Sequence, residues 1–441
     1  MNKISHPDRT KMPQPAGFEK LNITNPEKVI LGNGLPVYIL REENQEVSRL
    51  DLVFNAGTSF QETLLQASAV NDLLSEGTRR HTSAEIAGIL DFHGAYTDYF
   101  LTKDTAGITL YSLTKYYDQL LPLMAELVTE AIFPEEELSI YTDRKWQEYQ
   151  VNSQKVRYKA SRAFNKLIFG EKSAYGQVAE ADDFGKLTHK DLVDFYHHRY
   201  ADFFVILSGK VNDALLRNLE QVMGTLPRKS QTEENTANID FVLPEEQQTQ
   251  FIEKKDALQS ALRVGALSIS RRHPDYPGLN LLNTVLGGYF GSRLMSSIRE
   301  EKGYTYGIYS AIQNHRHAGL FGIATEVNAK YTAEALQEIK HQMQLLCEEK
   351  IRDSELSTVK NYVYGTYLNS FDGPLQLAER FKMSAELEIP FLFYKESLEQ
   401  MMQYTPEDLL MLAGKYLAPD KMKTLVAGNT SAFQVDKNLK D

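Results

Sequence analysis

The hydrophobic pattern of this chain repeats itself half a chain apart. In "THKDLVDFYHHRYADFFVILSG" (188–209) and "TPEDLLMLAGKYLAPDKMKTLVAG" (405–428), a threonine opens a helical stretch and Asp and Leu follow three and four residues later. A basic residue and a tyrosine close each stretch, and an apolar strand ends each in glycine. Threonine is a good N-cap because its hydroxyl accepts a free backbone N–H of the first turn. A second echo pairs the apolar helix before Gly77 with "YPGLNLLNTVLGG", which ends at Gly287 and Gly288. These echoes predict a duplicated domain.

Period-two alternation marks a strand pair in "VILGNGLPVYIL", turned at Asn33 and Gly34, and another strand in "SRLDLVFNAG". Period-3.6 patterning predicts helices over 63–75, 83–92, 116–132 and a long run over 135–168, with strands at 96–100 and 106–113. In the second half, strands are expected at 261–269, 304–311 and 320–327, and helices over most of the remainder before "KTLVAG". Strands first and helices after, twice over, is an α+β class. The expected division is a domain at 1–227, a polar linker at 228–250 with an apolar island at 241–243, and a homologous domain at 251–441.

At 441 residues the chain has room for two cores, and 42% hydrophobic residues supply them. A net charge of −11 argues against nucleic acid and anionic membranes as partners, since both repel an acidic field, and favours basic peptides. Cys347 is the single cysteine, which excludes an intrachain disulfide, and its helical neighbours Met343 and Leu346 predict a buried thiol. No run of 18 apolar residues exists and the amino terminus has no secretory pattern, so a cytoplasmic, membrane-free protein is expected.

Two stretches carry candidate chemistry. In "TLLQASAVNDLLSEGT", Ser68, Asn71, Asp72 and Ser75 share one helix face opposite an apolar stripe. That face reads either as a solvated surface or as a metal site, but Asp72 is its one credible ligand and zinc prefers imidazole and thiolate. In "LGGYFGSRLMSSIREEKGYTYG", Gly287, Gly288 and Gly291 permit tight turns or close approach, without the Lys and hydroxyl residues of a phosphate loop. Gly303 is placed to cap the helix of Leu294, Met295 and Ile298, and Arg299 sits in its last turn, where a cation suits the helix dipole. Tyr304, Tyr306 and Ile308 alternate onto one face of the next strand, so Tyr306 could be ordinary sheet packing. The pairs His315/His317 and His197/His198 lack the spacing of helical metal ligands.

With these stretches in view, the sequence resembles the pitrilysin family of inverted-zincin peptidases, from "NGLPVYIL" through "VFNAGTSFQE", "AEIAGILDFHGA" and "LTHKDLVDFY" to "LVAG". The glycine-rich block around Arg299 is the most specific part. The resemblance implies two homologous domains, each an antiparallel-rich sheet with a helical layer. Family enzymes bind zinc through H-x-x-E-H, with Glu as general base, and a later Glu. Here Ser68 and Asn71-Asp72 stand at the His and Glu-His positions, so the motif is degenerate, and Glu148 is a possible relic of the third ligand.

Arg299 and Tyr306 match the Arg and Tyr by which similar proteins hold a substrate carbonyl and its oxyanion at the zinc of a partner chain. The resemblance therefore implies a zinc-free subunit of a two-chain endopeptidase acting on peptides or unfolded segments. No metal is expected in this chain and zinc is expected in an H-x-x-E-H-bearing partner. Arg299 and Tyr306 would be the catalytic contribution, Gly288 and Tyr304 would contact substrate, and the strand "YTDYF" is a candidate edge for an extended peptide. A non-catalytic scaffold or peptide-binding protein of the same fold is the alternative.

Overall fold

The computed structural model describes residues 10, 21, 23–42, 45–227 and 249–429. Most of the expected linker, with its apolar island, lies outside the described residues. In chain order the first part runs β1 Glu27–Ile30, β2 Pro36–Arg41, β3 Val47–Phe54, α1 Gln66–Asp72, α2 Ser83–Phe92, β4 Tyr96–Leu101 and β5 Ala106–Leu113. It continues with α3 Tyr117–Glu130, α4 Glu135–Asn152, α5 Val156–Phe169, α6 His189–Arg199, β6 Phe203–Gly209 and α7 Asp213–Met223. The second part runs β7 Thr249–Glu253, β8 Gln259–Ser268, α8 Tyr276–Asn283, β9 Ile308–Asn314 and β10 Gly319–Asn328. After these come α9 Thr332–Glu348, α10 Asp353–Ser370, α11 Pro374–Glu386, α12 Phe393–Gln403, α13 Pro406–Tyr416 and β11 Lys423–Gly428.

Two sheets result, of order β1-β2-β6-β3-β5-β4 and β7-β11-β8-β10-β9. Most pairings are antiparallel; β2 with β6 and β7 with β11 are parallel, because a helix-bearing connection separates the partners in each case. The duplicated stretches fold alike. Thr188 caps α6 and Thr405 caps α13, each accepting from the backbone N–H of Asp191 or Asp408 while that aspartate reaches back to the threonine backbone. Each helix then feeds a strand, β6 or β11, buried inside its sheet.

The two halves interlock through exchanged helices. Helix α5 lies on β8 and β11 of the second sheet, burying Phe164, Leu167 and Ile168 against Leu320, Leu425 and Ala427. Helix α11 lies on β2 and β6 of the first sheet, where the Phe381 and Tyr38 ring centroids are 4.7 Å apart. Beneath α11, Arg49 of β3 is 1% exposed and pairs with Asp51 at 2.6 Å; it also binds the Glu379 carboxylate and donates to the Leu375 carbonyl at 3.2 Å. A buried ion group thus ties the first sheet to a helix of the second half.

Several sequence expectations need correction. The helical run expected over 135–168 breaks at Ser153, with Lys155 extended before α5. Its periodicity is continuous, but α4 and α5 feed different cores, and the chain must turn to serve both. The helix expected over 63–75 shrinks to Gln66–Asp72, since Leu65 adopts φ 74 and the Gln66 side chain accepts the Glu62 N–H at 3.0 Å instead. Thr249 and Gln250, expected in the linker, belong to β7. The strand expected over 304–311 begins only at Ile308, so Tyr304 and Tyr306 precede it and do not alternate on its face. His315 and His317 lie in the β9–β10 turn rather than on a strand face. Cys347 is half-buried, and burial pushes its thiol pKa up.

Candidate functional site

The polar face of α1 is half-buried and engaged by neighbouring side chains. Ser68 Oγ donates to the Leu65 carbonyl at 3.0 Å and lies 2.7 Å from the Tyr141 hydroxyl on α4. Asn71 is 1% exposed; its Nδ2 donates to the Phe100 carbonyl at 3.2 Å and its Oδ1 accepts from the Tyr200 hydroxyl at 3.1 Å. Asp72 pairs with the Lys145 ammonium at 3.3 Å, and the same ammonium lies 3.9 Å from Glu148. Burial raises the pKa values of the Tyr141 and Tyr200 phenols, which stay neutral and act as hydrogen-bonding struts.

A zinc ion does not fit this set. Neither imidazole nor thiolate is present, Ser68 and Asn71 are engaged by neutral partners, and an ammonium stands between the two carboxylates where a cation would have to enter. Among the described residues, no group of three or more His, Cys, Asp or Glu is placed to hold a metal ion.

The glycine-rich stretch builds a different arrangement. A π-helical turn over Thr284–Gly288 presses Gly287 against β9, where a Cβ would meet the Ser310 nitrogen at 2.6 Å. A second π-helical segment, Met295–Glu301, buries Met295 and Ile298 and ends where Gly303 takes φ 64, the left-handed conformation expected of a cap. Arg293 fixes its start through a two-pronged pair with Glu355 at 2.7 and 3.0 Å. Glu338 of α9 fixes its end, accepting from Ser297 and pairing with Lys302 at 3.2 Å.

The residues between Gly303 and β9 are pinned off the sheet. Thr305 Oγ1 donates to the Glu326 carbonyl at 2.8 Å, and Thr325 Oγ1 to the Gly307 carbonyl at 2.9 Å, so regular pairing starts at Ile308 opposite Thr325. This leaves the Tyr306 side chain 99% exposed. Arg299 Nε donates to the Tyr306 carbonyl at 3.0 Å while its guanidinium lies 4.7 Å from the Phe290 ring centroid. Both residues line an open hollow of about 740 Å³ with Gln259, Tyr304, Glu326 and Asn328. Tyr304 is stacked on Tyr331, centroids 4.5 Å apart. Gly288 is exposed but stands outside this lining.

The arrangement presents a forked cationic donor and a phenol from a fixed scaffold, chemistry suited to an anionic or carbonyl oxygen. Sequence reasoning missed Lys145, Tyr141 and Phe290. Phe290 lies inside the quoted block; the other two approach α1 from another helix, which spacing does not reveal. Strand β4 is an edge of the first sheet, as anticipated for "YTDYF". No helix among the described residues is long and apolar enough to cross a membrane.

Comparison with known proteins adds the family. Residues 186–363 match the family described as the peptidase M16 inactive domain. The chain is 22% identical over 343 residues to the uncharacterized zinc protease YmxG of Bacillus subtilis, spanning 76% of this chain and 82% of that protein. It is 24% identical over 275 residues to the probable inactive metalloprotease YmfF of the same organism, spanning 60% and 62%. The crystal structure of a peptidase M16 inactive domain from Pseudomonas fluorescens has the same fold, with a TM-score of 0.80 at 23% identity, covering 92% of this chain and 99% of that one.

Proposed function

Because the chain is a pitrilysin-type protein of the M16 family, of the kind without the zinc motif, we propose that it is the zinc-free subunit of a two-chain endopeptidase. Its Arg299 and Tyr306 would serve a zinc site carried by a homologous H-x-x-E-H-bearing partner, with peptides or unfolded segments as substrate. The observation that carries this reading is the contrast between the two halves. In the first, every degenerate metal position is tied up internally by Tyr141, Tyr200 or Lys145. In the second, Arg299 is oriented by a carbonyl and an aromatic ring, and Tyr306 is almost wholly exposed.

Such a pair acts by electrostatics. The Arg299 fork would hold the substrate carbonyl, and the Tyr306 hydroxyl would donate to the oxygen that gains negative charge as the partner's metal site hydrolyses the peptide bond. The open edge of β4 offers backbone groups to an extended peptide.

The test is reconstitution with a homologous H-x-x-E-H-bearing chain. Peptide cleavage is expected only from the mixture, and Arg299→Ala should lower its kcat by about tenfold to a thousandfold. Full activity with Arg299→Ala and Tyr306→Phe combined would refute the assignment. The alternative of a non-catalytic scaffold draws on the description of the similar YmfF as probably inactive. It predicts no cleavage from any such mixture.

A further inference from the structure

A second hollow, of about 330 Å³, opens between α1, α4, α5 and the turn joining β4 to β5. Three cations line it: Lys103, Lys145 and Arg162. Two of them are neutralised within the chain. Lys145 lies between Asp72 and Glu148, and Arg162 is 3.2 Å from Glu180 and donates to the Ala179 carbonyl. Lys103 has neither an ion pair nor a side-chain hydrogen bond among the described residues.

Its neighbour Asp104 makes no ion pair with it: that carboxylate accepts from the Tyr175 hydroxyl at 2.6 Å and from the Arg316 backbone N–H at 2.8 Å, and acts on Lys103 only at longer range. Burial lowers the Lys103 pKa, although the Asp104 carboxylate opposes the shift. On the same wall the Thr58 hydroxyl oxygen is buried without a partner. Backbone bonds from Thr58 N–H to Thr102 at 3.0 Å and from Ser59 N–H to Lys103 at 2.9 Å hold the two residues side by side. A buried hydroxyl left unbonded is unfavourable, and rotation of the Thr58 side chain toward the hollow would give it an acceptor there.

We propose that this hollow captures the free C-terminal carboxylate of a peptide, with the Lys103 ammonium as counter-ion and the Thr58 hydroxyl as second donor. The rings of Tyr149, Tyr158 and Phe184 line the same hollow and would cover the last side chain. One unpaired ammonium balances one negative charge. A phosphate dianion would leave a second negative charge uncompensated. The site needs no metal and no partner subunit, so its test is independent of the endopeptidase reading.

The experiment is titration calorimetry on the isolated full-length chain with three hexapeptides of one apolar sequence: the free acid, the C-terminal amide, and an amide carrying an internal glutamate. The free acid is expected to bind at least about tenfold more tightly than either amide, the worth of one charge-assisted contact. Lys103→Gln should erase the difference by weakening the acid alone. Its melting temperature should not fall below the parent's, since the ammonium makes no bond within the chain and its burial is unfavourable. Thr58→Val should weaken the acid less. Equal binding of acid and amide, equal binding of the glutamate-bearing amide, absence of binding by the acid, or an unchanged preference in Lys103→Gln would each overturn the proposal.

Discussion

Lys145 and Asp72 are ion-paired across two helices, Nζ to Oδ2 at 3.3 Å, and the same ammonium approaches Glu148 on its own helix. A side-chain cation thereby occupies the place between carboxylates that a metal would need. Restoring the motif by Ser68→His, Asn71→Glu and Asp72→His should therefore not suffice for zinc binding. Adding Lys145→Ala should raise zinc affinity by at least about tenfold over that triple variant, through removal of a like charge near the ligands. Elemental analysis after dialysis against graded zinc checks this; equal loading of the two variants would refute it.

The hold of Phe290 on Arg299 is a second quantity open to measurement. A guanidinium over an exposed ring gains about 0.5–1 kcal/mol, so Phe290→Ala should cost a reconstituted pair a few-fold in kcat while KM changes little. Arg299→Lys should not restore activity to Arg299→Ala, because a lysine has no fork with which to hold both the Tyr306 carbonyl and a substrate oxygen. Kinetics of the three variants with one peptide decide the matter.

Stability should respond to pH through His315. Its ring lies against Tyr175 and Phe169, with centroids 4.8 and 5.6 Å away, and burial lowers its pKa; the Asp104 carboxylate opposes that shift and the Lys103 ammonium adds to it. The unfolded chain therefore binds the proton more readily than the folded one. This contribution is complete above the unfolded value of about 6.5 and is lost as pH falls from there through the depressed folded value. Thermal melts at pH 7.5 and pH 5 should show a smaller drop for His315→Gln than for the parent.

Arg49→Met should be among the most damaging single changes. It leaves Asp51, 0% exposed, with the Thr109 hydroxyl at 2.6 Å and a more distant Lys382 at 3.6 Å. Breaking a buried pair from one side costs about 3–5 kcal/mol. Removing both charges, in Arg49→Met with Asp51→Leu, should recover part of the loss. Denaturant midpoints measure both, and a double variant weaker than the single one would contradict this account.

The sequence alone settled what depends on neighbours along the chain. The twin capping boxes at Thr188 and Thr405, the turn at Asn33 and Gly34, the left-handed Gly303 and the α+β order are local consequences of hydrogen bonding and backbone sterics, so residue types at fixed spacing suffice to read them. The missing imidazoles and the Arg299–Tyr306 stretch were legible for the same reason. What the tertiary structure decided is which surfaces meet. Spacing gave no sign that α5 and α11 would exchange sheets, that Lys145 would face Asp72 from another helix, or that Thr305 would hold Tyr306 off its strand into the open. Those outcomes come from cores that two halves must share and from polar groups that must find partners once buried; such constraints join residues far apart in sequence, and only the folded chain resolves them.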